Sequence, residues 1–286
     1  MTMQGINKKQ LDKFIKDALK EDVGNGDHTS LACIPKKKKS TARLLVKDDG
    51  VLAGVELAQK VFTHLDPKSK FKIFIEDGSD VKYGDIAFEV TCNAQALLKG
   101  ERLALNTMQR MSGIATLSRK FKNLTKGTNV KILDTRKTTP LLRFLEKWAV
   151  RIGGCQNYRD GLYDWIMIKD NHIDACGSIS KAIDRVHAYF KKNKKKLGIT
   201  VEVRNLKELS EVMKKGKVTR IMLDNFELSK LKKAVKIVGD KFETEASGGV
   251  TLKTVKAISR TGVDYISVGA LTHSAGCLDL SLKISK

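Results

Sequence analysis

The sequence predicts a mixed α/β fold in which parallel strands are joined by helices, preceded by a smaller α+β unit. Three observations point there. Beyond Val130 the chain repeats strand, loop and helix. The stretch before it combines amphipathic helices with short strands. Each strand of the repeating half also empties into polar or glycine residues of the kinds that bind ligands. Repeated βα units imply parallel strands with right-handed crossovers, hence an open doubly wound sheet or a barrel.

The elements can be taken in order. Asn7 is a good N-cap, and Leu11, Phe14, Ile15, Ala18 and Leu19 recur at helical spacing until Gly24, Asn25 and Gly26 stop the helix. Asp27 to Ser30 reads as a polar loop, with His28 as a turn or capping residue. Residues 40–46, 70–76 and 85–91 have strand composition, with a helix over 55–65 and a turn at Asp77 and Gly78. Residues 95–122 read as a helix bridging two domains. Its apolar stripe holds Leu97, Leu98, Leu105, Met108, Ile114 and Leu117, and Ser112 and Gly113 interrupt it.

Strands are then expected at 131–133, 164–168, 199–203, 220–223, 242–246 and 264–268. Helices are expected at 141–150, 180–191, 206–214, 228–238 and 252–260. At the C-terminus Leu278, Leu280, Leu282 and Ile284 alternate with polar residues, the pattern of a half-buried strand returning to the first domain's sheet.

Charge and cysteine content narrow the partners. Lys plus Arg number 54 against 32 Asp plus Glu, a net +22, which favours acidic ligands. The lysine runs at 36–39 and 191–196 read as solvated surface. Aromatics, 6% of the residues, do not interleave with them, so the stacking platform of a single-strand nucleic-acid binder is missing. The five cysteines lie far apart without CxxC spacing, which predicts reduced thiols and a cytoplasmic protein. No stretch approaches the roughly 20 apolar residues of a membrane span, so neither membrane nor nucleic acid is expected as a partner.

The chemistry concentrates at the strand ends. The strand at 131–133 runs into Asp134, Thr135, Arg136 and Lys137; the next ones end at Lys169, Glu202, Asp224, Ser247-Gly248-Gly249 and Gly269-Ala270. In a parallel barrel those ends share one rim, so residues far apart in sequence would meet in one pocket. Glycine loops let backbone amides approach phosphate oxygens, and a following helix adds partial positive charge. Glu202 and Asp224 suit Mg²⁺, sugar hydroxyls or a developing cation. Arg136, Lys137, Arg159 and Lys169 supply positive charge, and arginine suits bidentate carboxylate recognition.

Motifs spread over nearly the whole chain sharpen this. Glu101–Asn106 with Ser112–Thr116, Asp134–Thr138, Met167–His172, Val201–Val203, Met222–Asn225, Ser247–Gly249 and Ser267–Ser274 together resemble the quinolinate phosphoribosyltransferase family. The resemblance implies an incomplete parallel α/β barrel of TIM-like type with an N-terminal α+β domain. Its expected boundaries are 1–115 joined by a strand at 277–286, and 116–276. It implies transfer of phosphoribosyl from phosphoribosyl pyrophosphate to quinolinate with decarboxylation, as in de novo NAD biosynthesis.

By the same resemblance, Arg136, Arg159 and Lys137 hold the dicarboxylate with Arg102 supplied from the other subunit of a homodimer, higher oligomers being left open. Lys169, Ser247, Gly248, Gly249, Gly269 and Ala270 grip phosphates, and Thr135 and Val268 also face substrate. Glu202 and Asp224 address the ribose and Mg²⁺, directly or through water, and with Lys137 and Lys169 form the catalytic set. The chain departs from the family pattern at Tyr158, where many relatives carry His. A related phosphoribosyltransferase acting on nicotinate or another aromatic acid is the nearer alternative, and a basic nucleic-acid-binding protein the remote one.

Overall fold

Contacts between residues divide the chain into two units: Met1–Arg119 with Pro140–Gly154 and Ala275–Lys286, and Lys120–Thr139 with Cys155–Ser274. The structure, a computed structural model, describes residues 6–285; residues 1–5 and Lys286, which the expected N-terminal and C-terminal segments include, lie outside them.

The first unit begins with α1 (Lys8–Val23), whose Asn7 side chain accepts hydrogen bonds from Lys9 N and Gln10 N. These satisfy amides that have no carbonyl partner in the first turn. Leu11, Ile15 and Leu19 form its buried stripe. Where a polar loop was expected, a short helix α2 (His28–Cys33) follows, and Asp27 rather than His28 caps it by accepting from Ser30 N at 3.0 Å.

Strands β1 (Lys39–Val46), β3 (Lys70–Ile73) and β5 (Ile86–Asn93) join β12 (Leu280–Ile284) in an antiparallel sheet of order β12-β1-β5-β3. A two-residue pair, β2 (Gly50–Val51) with β4 (Asp80–Val81), lies outside the predicted strands. Helix α3 (Val55–Leu65) turns Val55, Ala58 and Phe62 into one core with Leu44, Phe88, Val90 and Leu282. Burying each such large side chain is worth about 1.5–3 kcal/mol. Ile284, expected to face inward, is 49% exposed at the end of the edge strand.

Helix α4 (Ala94–Leu124) is continuous through Ser112 and Gly113, where an interruption was predicted. Both residues serve packing instead. Ser112 Oγ accepts from Ala53 N and donates to Ala53 O. Gly113 admits the Gly276 carbonyl so closely that any β-carbon would overlap it. Helix α5 (Arg143–Ile152) belongs to this unit, which differs from the expected division at 116–276. Phe144 meets Phe14 edge to face at 5.7 Å, and Glu146 pairs with Arg110 at 2.8 Å.

The second unit carries β6 (Lys131–Leu133), β7 (Ile166–Ile168), β8 (Ile199–Val203), β9 (Arg220–Asp224), β10 (Glu243–Ser247) and β11 (Tyr265–Ser267). They are all parallel, in the order β6-β11-β10-β9-β8-β7. Gln156 adds a parallel bridge to Leu133 on the free side of β6. The sheet has six strands where a full barrel has eight, yet loops following both edge strands line a single cavity, so it curls into an incomplete barrel.

Helices α6 (Asp170–Cys176), α7 (Ile179–Asn193), α8 (Leu206–Lys215), α9 (Leu228–Val238), α10 (Val255–Ser259) and α11 (Ala270–His273) punctuate it. The buried row Val201, Val203, Ile221, Leu223, Ala246 and Ile266 lies on one face of the sheet. Buried apolar residues of the helices, among them Ile183, Leu209, Val212, Leu231 and Ala234, supply the other half of such a layered core. Among the described residues no helix is long and apolar enough to cross a membrane.

Candidate active site

Strand side chains alternate between faces, so each rim residue has a partner two positions back on the barrel's inner face. Counting back from Lys169, Glu202, Asp224, Ser247 and Gly269 gives Met167, Thr200, Met222, Glu245 and Ser267. The rim encloses a cavity of about 730 Å³.

One side of the cavity is cationic. Arg136, Lys137, Arg159 and Lys169 all line it. Arg159 is held below the usual guanidinium range by burial and by neighbouring Arg136, so two like charges share a partly dry wall. Such a wall favours a ligand with two anionic groups. The Lys137 backbone is clamped at both ends: its N–H donates to Thr135 Oγ1 at 3.0 Å, and its carbonyl accepts from Thr272 Oγ1 at 2.8 Å. Asp134 beneath is fully buried and accepts from Tyr158 N at 2.8 Å and Asn157 Nδ2 at 2.5 Å.

Glu202 and Asp224 lie on the neighbouring strands β8 and β9. Burial and the nearby Asp224 raise the Glu202 pKa, while Lys169, with its Nζ 4.0 Å from Glu202 Oε2, opposes the rise. A pair of acids this close gains from any cation placed between them. Lys169 N donates to His172 Nδ1 at 3.0 Å, fixing the start of α6.

Gly248 and Gly249 take positive φ angles of 92° and 57°. A β-carbon on Gly248 would overlap the Asn225 side chain, so that position admits only glycine. Asn225, itself left-handed at φ 54°, ties β9 to β10 by donating its N–H to the Ser247 carbonyl at 2.8 Å. The predicted helix at 252–260 is only the five-residue α10, preceded by a turn in which Thr251 N donates to Thr254 Oγ1, and α11 has four residues. Helices so short sum few peptide dipoles, so anion affinity here rests on the backbone amides of the turn rather than on a macrodipole.

The structure therefore brings Thr135, Arg136, Lys137, Arg159, Lys169, Glu202, Asp224, Ser247, Gly248, Gly249, Gly269 and Ala270 to one cavity. Val268 is 1% exposed and its N–H donates to Leu133 O, so it belongs to the sheet rather than to the lining. Arg102 is exposed on α4 in the first unit and is not among the lining residues. Tyr158, Met167, Met222, Asn225, Thr251, Ser267 and His273 also line the cavity. Strand alternation would have found Met167, Met222 and Ser267, and His273 follows Gly269 by one helical turn. Among the described residues no group of three or more His, Cys, Asp or Glu forms a metal cluster.

A rim of cations, a carboxylate pair and a glycine turn at the mouth of a parallel barrel define an α/β-barrel protein that binds small polyanions. Family models agree in detail. Residues 27–112 match the quinolinate phosphoribosyl transferase N-terminal domain, and residues 114–283 match its C-terminal domain. The chain belongs to the quinolinate phosphoribosyltransferase family.

Among its relatives, a mitochondrial decarboxylating quinolinate phosphoribosyltransferase 2b of Nicotiana tabacum is 47% identical, over 96% of this chain and 82% of that protein. A probable carboxylating nicotinate-nucleotide pyrophosphorylase of Bacillus subtilis is 41% identical, over 98% and 95% respectively. The crystal structure of NadC from Streptococcus pyogenes superposes with a TM-score of 0.92 at 37% identity, covering 98% of this chain and 99% of that one.

Proposed function

We propose that this chain transfers the phosphoribosyl group of phosphoribosyl pyrophosphate to the ring nitrogen of quinolinate, with decarboxylation. The products are nicotinate mononucleotide, pyrophosphate and CO₂, the step that supplies the pyridine nucleotide in de novo NAD biosynthesis. The observation that carries this reading is the single cavity with Arg136 and Arg159 among its lining and the Gly248–Gly249 turn among the rest. A dicarboxylate and a sugar phosphate can meet there.

The arginines bind and orient the two carboxylates through charge-assisted bonds. Lys169 and the turns at Ser247–Gly249 and Gly269–Ala270 hold phosphate oxygens. As pyrophosphate leaves C1 of the ribose, Glu202 and Asp224 offset the positive charge that develops there. The pyridine nitrogen then attacks, and the cationic ring accepts the electron pair left by the 2-carboxylate as CO₂ departs. A proton takes its place on the ring.

The all-oxygen donor pair Glu202 and Asp224 fits Mg²⁺, which keeps several waters and would neutralise diphosphate charge when bound. The family reading also includes a homodimer in which Arg102, exposed on α4, completes the partner's site. Mixing Arg102→Ala with Glu202→Ala chains tests it, since complementation across subunits restores activity. The cytoplasm is the compartment that the five reduced, widely spaced cysteines favour; the tobacco relative is named as mitochondrial, so fractionation of cells is the check. The activity itself is tested by supplying quinolinate, phosphoribosyl pyrophosphate and Mg²⁺. Nicotinate mononucleotide and CO₂ should form in equal amounts, and the absence of both rejects the reading.

A further inference from the structure

Below the rim, beside Leu133, Met167 and Met222, the inner face of the barrel carries a buried polar network. At its centre is Glu245, fully buried on β10. It accepts from Ser267 Oγ through one oxygen and from Arg220 Nη1 at 3.1 Å through the other, and Arg220 in turn stacks on the Tyr158 ring. Tyr158 Oη in turn lies 2.6 Å from Thr200 Oγ1, which accepts from Trp165 Nε1 at 2.9 Å. Arg220 is 6% exposed and stacked 3.7 Å from the Tyr265 ring centroid and 5.0 Å from that of Tyr158, and it also donates to Glu243 at 2.9 and 3.0 Å.

Two residues tied to Glu245, Ser267 directly and Tyr158 through Arg220, border different parts of the cavity. Tyr158 immediately precedes Arg159, and its N–H is fixed at the other end by Asp134. Ser267 lies two residues before Gly269, in the turn assigned to phosphate. Both Tyr158 and Ser267 line the cavity.

We infer that Glu245 is a positioning residue that sets both halves of the site at once, the arginine wall through Tyr158 and the glycine turn through Ser267. It touches neither ligand. The inference rests on the functional reading above for the identity of the two ligands. Its geometry explains why a carboxylate stands where burial disfavours it: one anion receives the Ser267 hydroxyl and the buried Arg220 guanidinium, whose charge a neutral residue would leave without its full counter-ion. Thr200 gives the Tyr158 hydroxyl a place inside the barrel, so the ring rather than the hydroxyl is what Tyr158 presents to a ligand.

The test is titration calorimetry of the full chain with quinolinate alone and with phosphoribosyl pyrophosphate and Mg²⁺ alone, with far-UV circular dichroism on every variant. Glu245→Gln should weaken both ligands by about tenfold. Tyr158→Leu, which removes the ring that Arg220 stacks on, should weaken chiefly quinolinate, and Ser267→Ala chiefly the phosphoribosyl ligand. The double variant Tyr158→Leu/Glu245→Gln should bind quinolinate no more weakly than the weaker-binding of its two single variants, because groups acting in one chain are not additive.

Unchanged dissociation constants in a folded Glu245→Gln chain, or additive losses in the double variant, overturn the inference. Should Glu245→Gln fail to fold, the Tyr158→Leu and Ser267→Ala variants decide: selective losses support it, while equal losses on both ligands, or none, overturn it. A wild-type chain that binds no quinolinate instead rejects the functional reading, and the inference with it.

Discussion

In the antiparallel sheet β12-β1-β5-β3 the buried residues include Ala42, Leu44, Val46, Phe88, Val90, Leu280 and Leu282. The inner face of the parallel sheet instead carries Thr200, Arg220, Glu243, Glu245 and Ser267. One sheet is held by area removed from water, which is insensitive to direction. The other buries an apolar outer face in the same way but ties its inner face with hydrogen bonds, which demand direction. The difference separates two jobs. A core of interchangeable apolar volume tolerates repacking, whereas a mouth that must place Arg136, Arg159 and the Gly248 turn relative to one another needs fixed angles beneath it.

The largest expected effect breaks the comparison cleanly in one direction. Arg136→Ala should lower kcat/KM for quinolinate by about 10³-fold, equivalent to about 4 kcal/mol of lost charge-assisted binding, with the thermal midpoint hardly moved. Steady-state kinetics beside calorimetry will show it, and a large fall in midpoint would mean that the rim is structural after all.

The mirror experiment is Phe88→Ala, which opens a void under a fully buried ring and should cost about 3–5 kcal/mol in urea denaturation. The folded fraction should keep its KM. If KM shifted as much as stability, the division of labour would be wrong.

Asp77 sharpens the contrast because it is a buried acid in the apolar unit. Burial, with Glu56 close by, pushes its pKa up to about 6, although Val55 N donates to it at 2.9 Å. The folded state therefore holds this proton more tightly than the unfolded chain does. Stability from this group is present below about pH 4 and is lost as pH rises through 6, by about 3 kcal/mol at most. In Asp77→Asn that slope should vanish, so the difference between variant and wild-type urea midpoints should move in the variant's favour between pH 4 and 7. A difference that stays constant would show the carboxyl to be solvated.

The smallest effect is Asp17→Ala. Its ion pair with Lys13 at 2.5 Å is exposed on both sides, so removal should change stability by about 0.5 kcal/mol or less, within the error of most melts. A larger loss would mean that α1 depends on its surface charges.

Much of the rim was legible in the sequence because strand ends in parallel sheets announce themselves: Lys169, Glu202, Asp224 and Ser247 each follow a short apolar run. Helices with complete caps and stripes, such as α1 and α8, were equally plain. What escaped depends on tertiary context. Asp170 to Cys176 looks like loop because Asp, Asn and His favour caps and turns, yet the Lys169 N–H donates to His172 Nδ1 and anchors the first turn of a helix there. Ser112 and Gly113 look like a break, and only the approach of Ala53 and Gly276 shows why a helix keeps them. Glu245 was passed over because a lone acid in a strand usually faces water. Its partners Arg220 and Ser267 lie 25 and 22 positions away.

The pairing of β1 with β12 has a consequence for synthesis. Ala42 to Val46 meet Ile284 to Leu280 in antiparallel register, so the small sheet cannot be completed until every strand of the barrel has left the ribosome. Until then β1 offers a bare edge of amides and carbonyls to any passing strand. Nascent chains arrested before Leu280 should recruit holdase chaperones or self-associate, and release should be followed by rapid closure of that edge.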